Sequence, residues 1–406
     1  MSSSNPEHHR LKRRFLGLSS KFDFAMFCML AAFGLALAFL AYSLGGVDFG
    51  VYYAAGRVTI MGGNPYDYQQ LASQIVTDTG ELNNPYYYAP WFTWAVLPLS
   101  LLPYSAARMA WSIINVLLWF VSLHNLTKIV DWPRVGWRRW GMYLLMTVVF
   151  AWSTWGFEQV GILVFFMVGM FLLAAGQDRW FAAGVWLALS LFKPNITAIP
   201  VVCMVIWLIL HKTWKPVITM VVLLVMMILI SLLLSPQWYL ALLQADKITG
   251  LSYTLNNAGG TEVARYNTTL VDWLLMYGVT GPPAAGVYAF VIVLGVTALV
   301  YSVLRSKSMT QLAAQAFLAN FALIPYALFY DYPVLTLTLF YLNEQASRKS
   351  ILLWAQISAN IMIVLGLFVG DKISFRYWIV IILVVFGMIT HFQELRMTAR
   401  QQMNPP

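Results

Sequence analysis

The residues with most chemistry to offer begin at Gly46-Val47-Asp48-Phe49-Gly50-Val51-Tyr52-Tyr53, directly behind the first apolar run at 24–44. Asp48 therefore falls at a boundary between lipid and water. There it can stay ionised and still reach a group lodged at the interface, which suits a general base. An acid at this point can also cap the amphipathic helix that the pattern predicts over Phe49–Met61, ended by Gly62-Gly63-Asn64-Pro65. The two roles are compatible. Tyr52 follows one helical turn after Asp48, and Tyr86-Tyr87-Tyr88 lies in a proline-punctuated stretch. Such rings form interfacial belts, and they also stack on the apolar face of a hexose.

Four more places carry polar groups where the surroundings are apolar. Glu158-Gln159 sits in a short turn between two apolar runs and needs partners there, because a buried unpaired charge is costly. Lys193 precedes Pro194, where it either snorkels or meets a phosphate. Arg265 and Asn267 lie in Arg265-Tyr266-Asn267-Thr268-Thr269. The planar guanidinium fork suits phosphate, and Asn267-x-Thr269 is not read as a glycosylation site. Asp331, in Tyr330-Asp331-Tyr332-Pro333, is either a second acid of one cavity or the ion partner of Lys193 or Arg265. Pro333 is expected to restart a helix.

The elements that must position these groups are membrane helices. The chain of 406 residues is 60% hydrophobic and 10% charged, against about 25% charged in soluble domains. Its formal charge of +9 gathers in short loops and termini, so it reads as positive-inside topology rather than as a nucleic-acid surface. Cys28 and Cys203 lie in apolar runs, and the five histidines are scattered, so neither a disulfide framework nor a metal site is expected. Apolar segments occur at 24–44, 89–103, 104–126, 140–156, 158–175, 180–192, 195–211, 214–235, 284–304, 312–330, 332–343, 350–369 and 376–392. Each is read as helix, since only internally bonded backbone survives in hydrocarbon.

The segment 89–103, short and holding Pro90, Pro98 and Pro103, is expected to be re-entrant. That leaves about 12 transmembrane helices and both termini inside. The chain is then one all-α polytopic unit, 1–406. It has a basic cytoplasmic tail at 1–21 and two external loops, 45–88 and 236–283. This topology brings Asp48, Glu158, Lys193, Arg265 and Asp331 to the outer side. Charges at membrane depth face a functional cavity or a partner. No internal repeat of the transporter kind is visible.

The ordered set Asp48-Phe49-x-x-Tyr52-Tyr53, Gly62-Gly63-Asn64-Pro65-Tyr66, Tyr88-Ala89-Pro90-Trp91-Phe92, Lys193-Pro194 and Asn267-Thr268-Thr269-Leu270 resembles glycosyltransferase family 87. These are enzymes of the GT-C type that include mannosyltransferases of phosphatidylinositol mannoside synthesis. The resemblance implies a polyprenyl-phosphate sugar donor, most simply mannose. It also implies inverting transfer to a hydroxyl of a glycolipid or glycan acceptor at the outer, periplasmic face of the cell membrane. Asp48 would be the base. Lys193, Arg265, Glu158, Gln159, Asp331, Tyr52, Tyr88 and Asn267 would contact donor phosphate or sugar, with membrane lipid around them and no cofactor, metal or nucleic acid. One departure stands out: the family often has Gly-Gln where this chain has Glu158-Gln159. The competing class is a transporter or flippase of a lipid-linked saccharide.

Overall fold

The computed structural model describes residues 21–43, 48–75, 86–130, 137–234, 238–240, 268–347, 361 and 377–389. Among them every regular element is helical and no strand forms. The chain begins with α1 (Lys21–Ser43), α2 (Asp48–Ile60), α3 (Tyr68–Gln74), α4 (Pro90–Ser100) and α5 (Tyr104–Ile129). Then come α6 (Trp137–Met146), a π-helical turn (Thr147–Ala151) and α7 (Trp152–Gly156). They lead to α8 (Gly161–Ala175), α9 (Trp180–Ser190), α10 (Pro194–Leu210) and α11 (Trp214–Leu234). Beyond lie α12 (Leu270–Met276), α13 (Gly281–Arg305), α14 (Met309–Leu323), a 3₁₀ turn (Phe329–Val334), α15 (Leu335–Ser347) and α16 (Tyr377–Ile389).

Local chemistry sets many of these ends. Pro90 and Pro194 occupy first helical positions, where the missing N–H costs nothing. Asp67 caps α3 by accepting from the Gln69 and Gln70 amides, Thr269 caps α12 and Ser308 caps α14. Gly62 closes α2 with φ +74°, a left-handed conformation suited to glycine.

By length and composition α5, α11 and α13 can each cross a bilayer, and five shorter apolar helices accompany them. The outer faces of α11 and α13 are apolar and exposed, as Leu229, Leu233, Phe290 and Val293 show. Aliphatic surface of this extent on a long helix suits lipid. The core lies between α5, α8, α9, α10 and α14, with α8 packed against α5, α9 and the 3₁₀ turn. At 11 residues and about 1.5 Å per residue, α4 reaches about 16 Å, roughly half the hydrocarbon thickness. It is too short to cross alone.

Three expectations need correction. The helix after Asp48 is not amphipathic: Phe49, Val51, Tyr52, Tyr53, Ala54, Ala55 and Val58 are all buried, because α3, α4 and α5 pack around it. The segment 140–156 is not one regular helix, since the π turn at Thr147–Ala151 interrupts it. Thr147 ties that turn, its hydroxyl donating to the Tyr143 carbonyl and accepting from Trp119 Nε1. Finally, α14 stops at Leu323, and Pro333 lies inside the 3₁₀ turn rather than at the start of a helix.

Candidate active site

Asp48 is the first residue of α2 and is partly buried. One turn on, the Tyr52 phenol donates to Gln159 Oε1 at 2.8 Å. Tyr88, just ahead of α4, donates to the same oxygen at 3.1 Å, and the two phenol oxygens are 2.9 Å apart. With its carbonyl oxygen taken by two hydroxyls, Gln159 turns its amide NH₂ to the Asp48 carboxylate. The Tyr88 position is set from behind: its carbonyl accepts from Tyr66 OH at 2.8 Å, and its ring packs on Phe92 and edge-on to Tyr52.

Close enough to act on the Asp48 carboxyl is an ion pair. Lys193 stands where α9 hands over to α10, and its Nζ meets Asp331 Oδ1 at 2.5 Å. Asp331 is 1% exposed; its second oxygen accepts from the Leu328 amide at 3.1 Å. The Lys193 ammonium also lies 5.3 Å from the Tyr330 ring centre and 5.8 Å from that of Tyr88, within cation–π range. The turn carrying Asp331 is anchored twice: Thr154 Oγ1 donates to the Tyr330 carbonyl at 2.9 Å, and the Thr268 amide donates to the Ala327 carbonyl at 2.7 Å. Gly161 lets α8 approach that turn, since a Cβ there would stand 2.2 Å from the Tyr330 carbonyl oxygen.

Asp48 belongs to α2, outside the long spanning helices. Burial raises its carboxyl to about 6, against the pull of the Gln159 hydrogen bond and of Lys193, while Asp331 adds a further push upward. A carboxylate near that value is a far better proton acceptor at neutral pH than an ordinary aspartate.

Glu158 is near enough to feel the Asp48 charge, and it finds a partner that sequence reasoning missed. Arg108 Nε lies 2.6 Å from Glu158 Oε1, and both side chains are buried. Trp111, one turn further along α5, donates its indole N–H to the Glu158 carbonyl at 2.8 Å. The available signal was Arg108 itself, a permanent cation inside the apolar run 104–126. Among the described residues Glu158 Oε2, Asn115 Oδ1 and Trp155 Nε1 find no hydrogen-bond partner, and these three buried residues line a narrow crevice with Trp111 and Ser112.

Of the residues singled out in the sequence, Asp48, Tyr52, Tyr88, Gln159, Lys193 and Asp331 converge. Glu158 pairs with Arg108, and Arg265 and Asn267 lie outside the described residues. Among the described residues, no three His, Cys, Asp or Glu side chains gather as metal ligands would. Residues 86–329, more than half of the chain, match the profile of glycosyltransferase family 87. The chain belongs to that family. As a member it is a membrane glycosyltransferase, with a sugar donor and an acceptor as substrates. Tyr88, Glu158, Gln159, Lys193, Arg265 and Asn267 fall within the matched span; Asp48, Tyr52 and Asp331 lie outside it. Neither a curated protein nor a solved structure gives a match.

Proposed function

We propose that this family 87 enzyme transfers a hexose, with mannose the leading candidate, from a polyprenyl-phosphate carrier to a hydroxyl of a glycolipid or glycan, with inversion. The supporting observation is the convergence of a partly buried, proton-hungry Asp48 with an aromatic wall and one ammonium. In this reading the acceptor oxygen attacks the anomeric carbon as the bond from that carbon to the phosphate oxygen breaks. The acceptor proton passes to Asp48, and the electron pair leaves on the polyprenyl phosphate. Lys193 has two N–H donors beyond the one Asp331 uses, and these meet the growing charge on the leaving phosphate. Tyr52 and Tyr88 offer ring faces and hydroxyls to the sugar.

Arg265 and Asn267 are assigned to the donor side on the phosphate-binding chemistry of the guanidinium and on the resemblance. The proposal includes the topology: one multi-pass unit with its site at the outer, periplasmic face, flanked by the loops 45–88 and 236–283.

The test is to give membranes containing the protein radiolabelled polyprenyl-phosphate mannose, with polyprenyl-phosphate glucose as comparison. Labelled mannose recovered on a new glycolipid or glycan supports the reading. Label that changes sides of the membrane while still on its polyprenyl carrier instead indicates a flippase and defeats it.

A further inference from the structure

Gln159 reaches Asp48 only if the turn that carries it is held still, and the structure has a device for that. Glu158 adopts φ +55°, a left-handed conformation that a residue with a Cβ rarely takes up without support. Arg108 and Trp111, three residues apart on one face of α5, grip it from the same side. The first takes its carboxylate at 2.6 Å and the second its carbonyl at 2.8 Å. The Gln159 amide N–H then donates to the Thr154 carbonyl at 2.9 Å, and the side chain projects to Tyr52, Tyr88 and Asp48.

A buried ion pair gives no general advantage in stability over an apolar pair of similar size. Its distinctive contribution here is directional, fixing the residue next to Gln159. We propose that Arg108 is a positioning residue that acts through Glu158 to hold the Gln159 amide against Asp48. This rests on Asp48 being the base. Among the described residues, the charged and titratable groups whose interaction with Asp48 is resolved are Lys193, Asp331, Glu158, Tyr52, Tyr88, Tyr326 and Tyr330. The route from Arg108 toward Gln159 runs through the Glu158 carboxylate and the turn that carries it.

The experiment compares full-length wild type with the double variant Arg108→Met/Glu158→Gly across about pH 5 to about pH 9. The double variant removes both members of the ion pair together and supplies glycine where the backbone is left-handed, so it is expected to fold. Loosening Gln159 removes a bond to the ionised carboxylate. The acid limb of the rate profile then moves upward by about half to one pH unit, a loss of roughly 3- to 10-fold near pH 5. Above about pH 8 the rate returns to within roughly twofold of wild type. A merely structural pair would lower the rate equally at every pH. A uniform loss or an unmoved limb overturns the proposal. If the double variant does not fold, Arg108→Lys is measured instead; a smaller upward shift supports the assignment and an unmoved limb overturns it. A wild-type rate that is flat across the whole range defeats the Asp48 reading itself, and this one with it.

Discussion

Breaking the Lys193–Asp331 pair separates what it does for the fold from what it does for transfer. At 2.5 Å and an effective dielectric of about 20, the gross attraction is about 6–7 kcal/mol. Desolvation offsets most of this, because Asp331 has no accessible side-chain surface and Lys193 only 10%. Removing Lys193 alone leaves Asp331 charged and, among the described residues, with the Leu328 amide as the remaining partner of its side chain, and costs about 3–5 kcal/mol. Lys193→Met should therefore melt well below wild type in detergent and lose transfer. The pair variant Lys193→Met/Asp331→Leu should return most of the lost stability, to within about 1–2 kcal/mol, because no buried charge remains. Its transfer rate should stay at least about 100-fold low, the range expected when one electrostatic contact to the leaving phosphate is removed. The assay pairs a melting curve with the initial rate of hexose transfer from polyprenyl phosphate. If the double variant regains both stability and rate, Lys193 is a structural cation and its assignment to the phosphate is wrong.

The remaining predictions concern the base and its frame. Asp48 accepts a proton only when ionised, so the rate should rise with pH through about 6 and fall about tenfold per unit below it. The same raised value means the folded protein binds this proton more tightly than the unfolded chain. The Asp48 contribution to stability therefore declines as pH rises from the ordinary carboxylate value to about 6. Gln159→Leu, which removes the amide from the Asp48 carboxylate, should lift the acid limb by about one to two units, matching a lost hydrogen bond of about 1.5–3 kcal/mol; an unmoved limb would show that the contact does not stabilise the ionised form. Gly161→Ala should destabilise by about 1–3 kcal/mol and displace the 330–331 turn, because its Cβ would fall 2.2 Å from the Tyr330 carbonyl oxygen. Unchanged melting and rate would show that α8 and the turn shift apart at no cost.

Much of this arrangement is legible in the sequence because apolar length and proline placement act locally. The run 104–126 becomes α5, 214–235 becomes α11 and 284–304 becomes α13, with Pro103 just ahead of α5 and a proline in the first turn of α13. The short, proline-rich 89–103 yields a helix of half-bilayer length for the same reason. Charged residues in apolar surroundings pointed to one cluster: Asp48, Lys193 and Asp331 come together, and Asp331 pairs with Lys193. What could not be read is pairing across distance. Glu158 is 50 residues from Arg108, and nothing in the spacing shows that α5 and the turn after α7 face each other. Nor does the pattern reveal the π turn at Thr147–Ala151, because one extra residue in a strongly apolar helix barely disturbs its periodicity. The burial of α2 was hidden for a related reason, since Tyr52 and Tyr53 look interfacial until α4 and α5 close over them.

The central claim is that Asp48 takes the proton from the acceptor. The direct measurement is the initial rate of hexose transfer from radiolabelled polyprenyl phosphate by Asp48→Asn, in membranes matched for protein amount, alongside retention of the labelled donor. The account predicts a rate lower by about 10²–10⁴-fold, the usual worth of a general base, with donor retention close to wild type because asparagine keeps the shape of the side chain. Transfer by Asp48→Asn within tenfold of wild type across the pH range would contradict it.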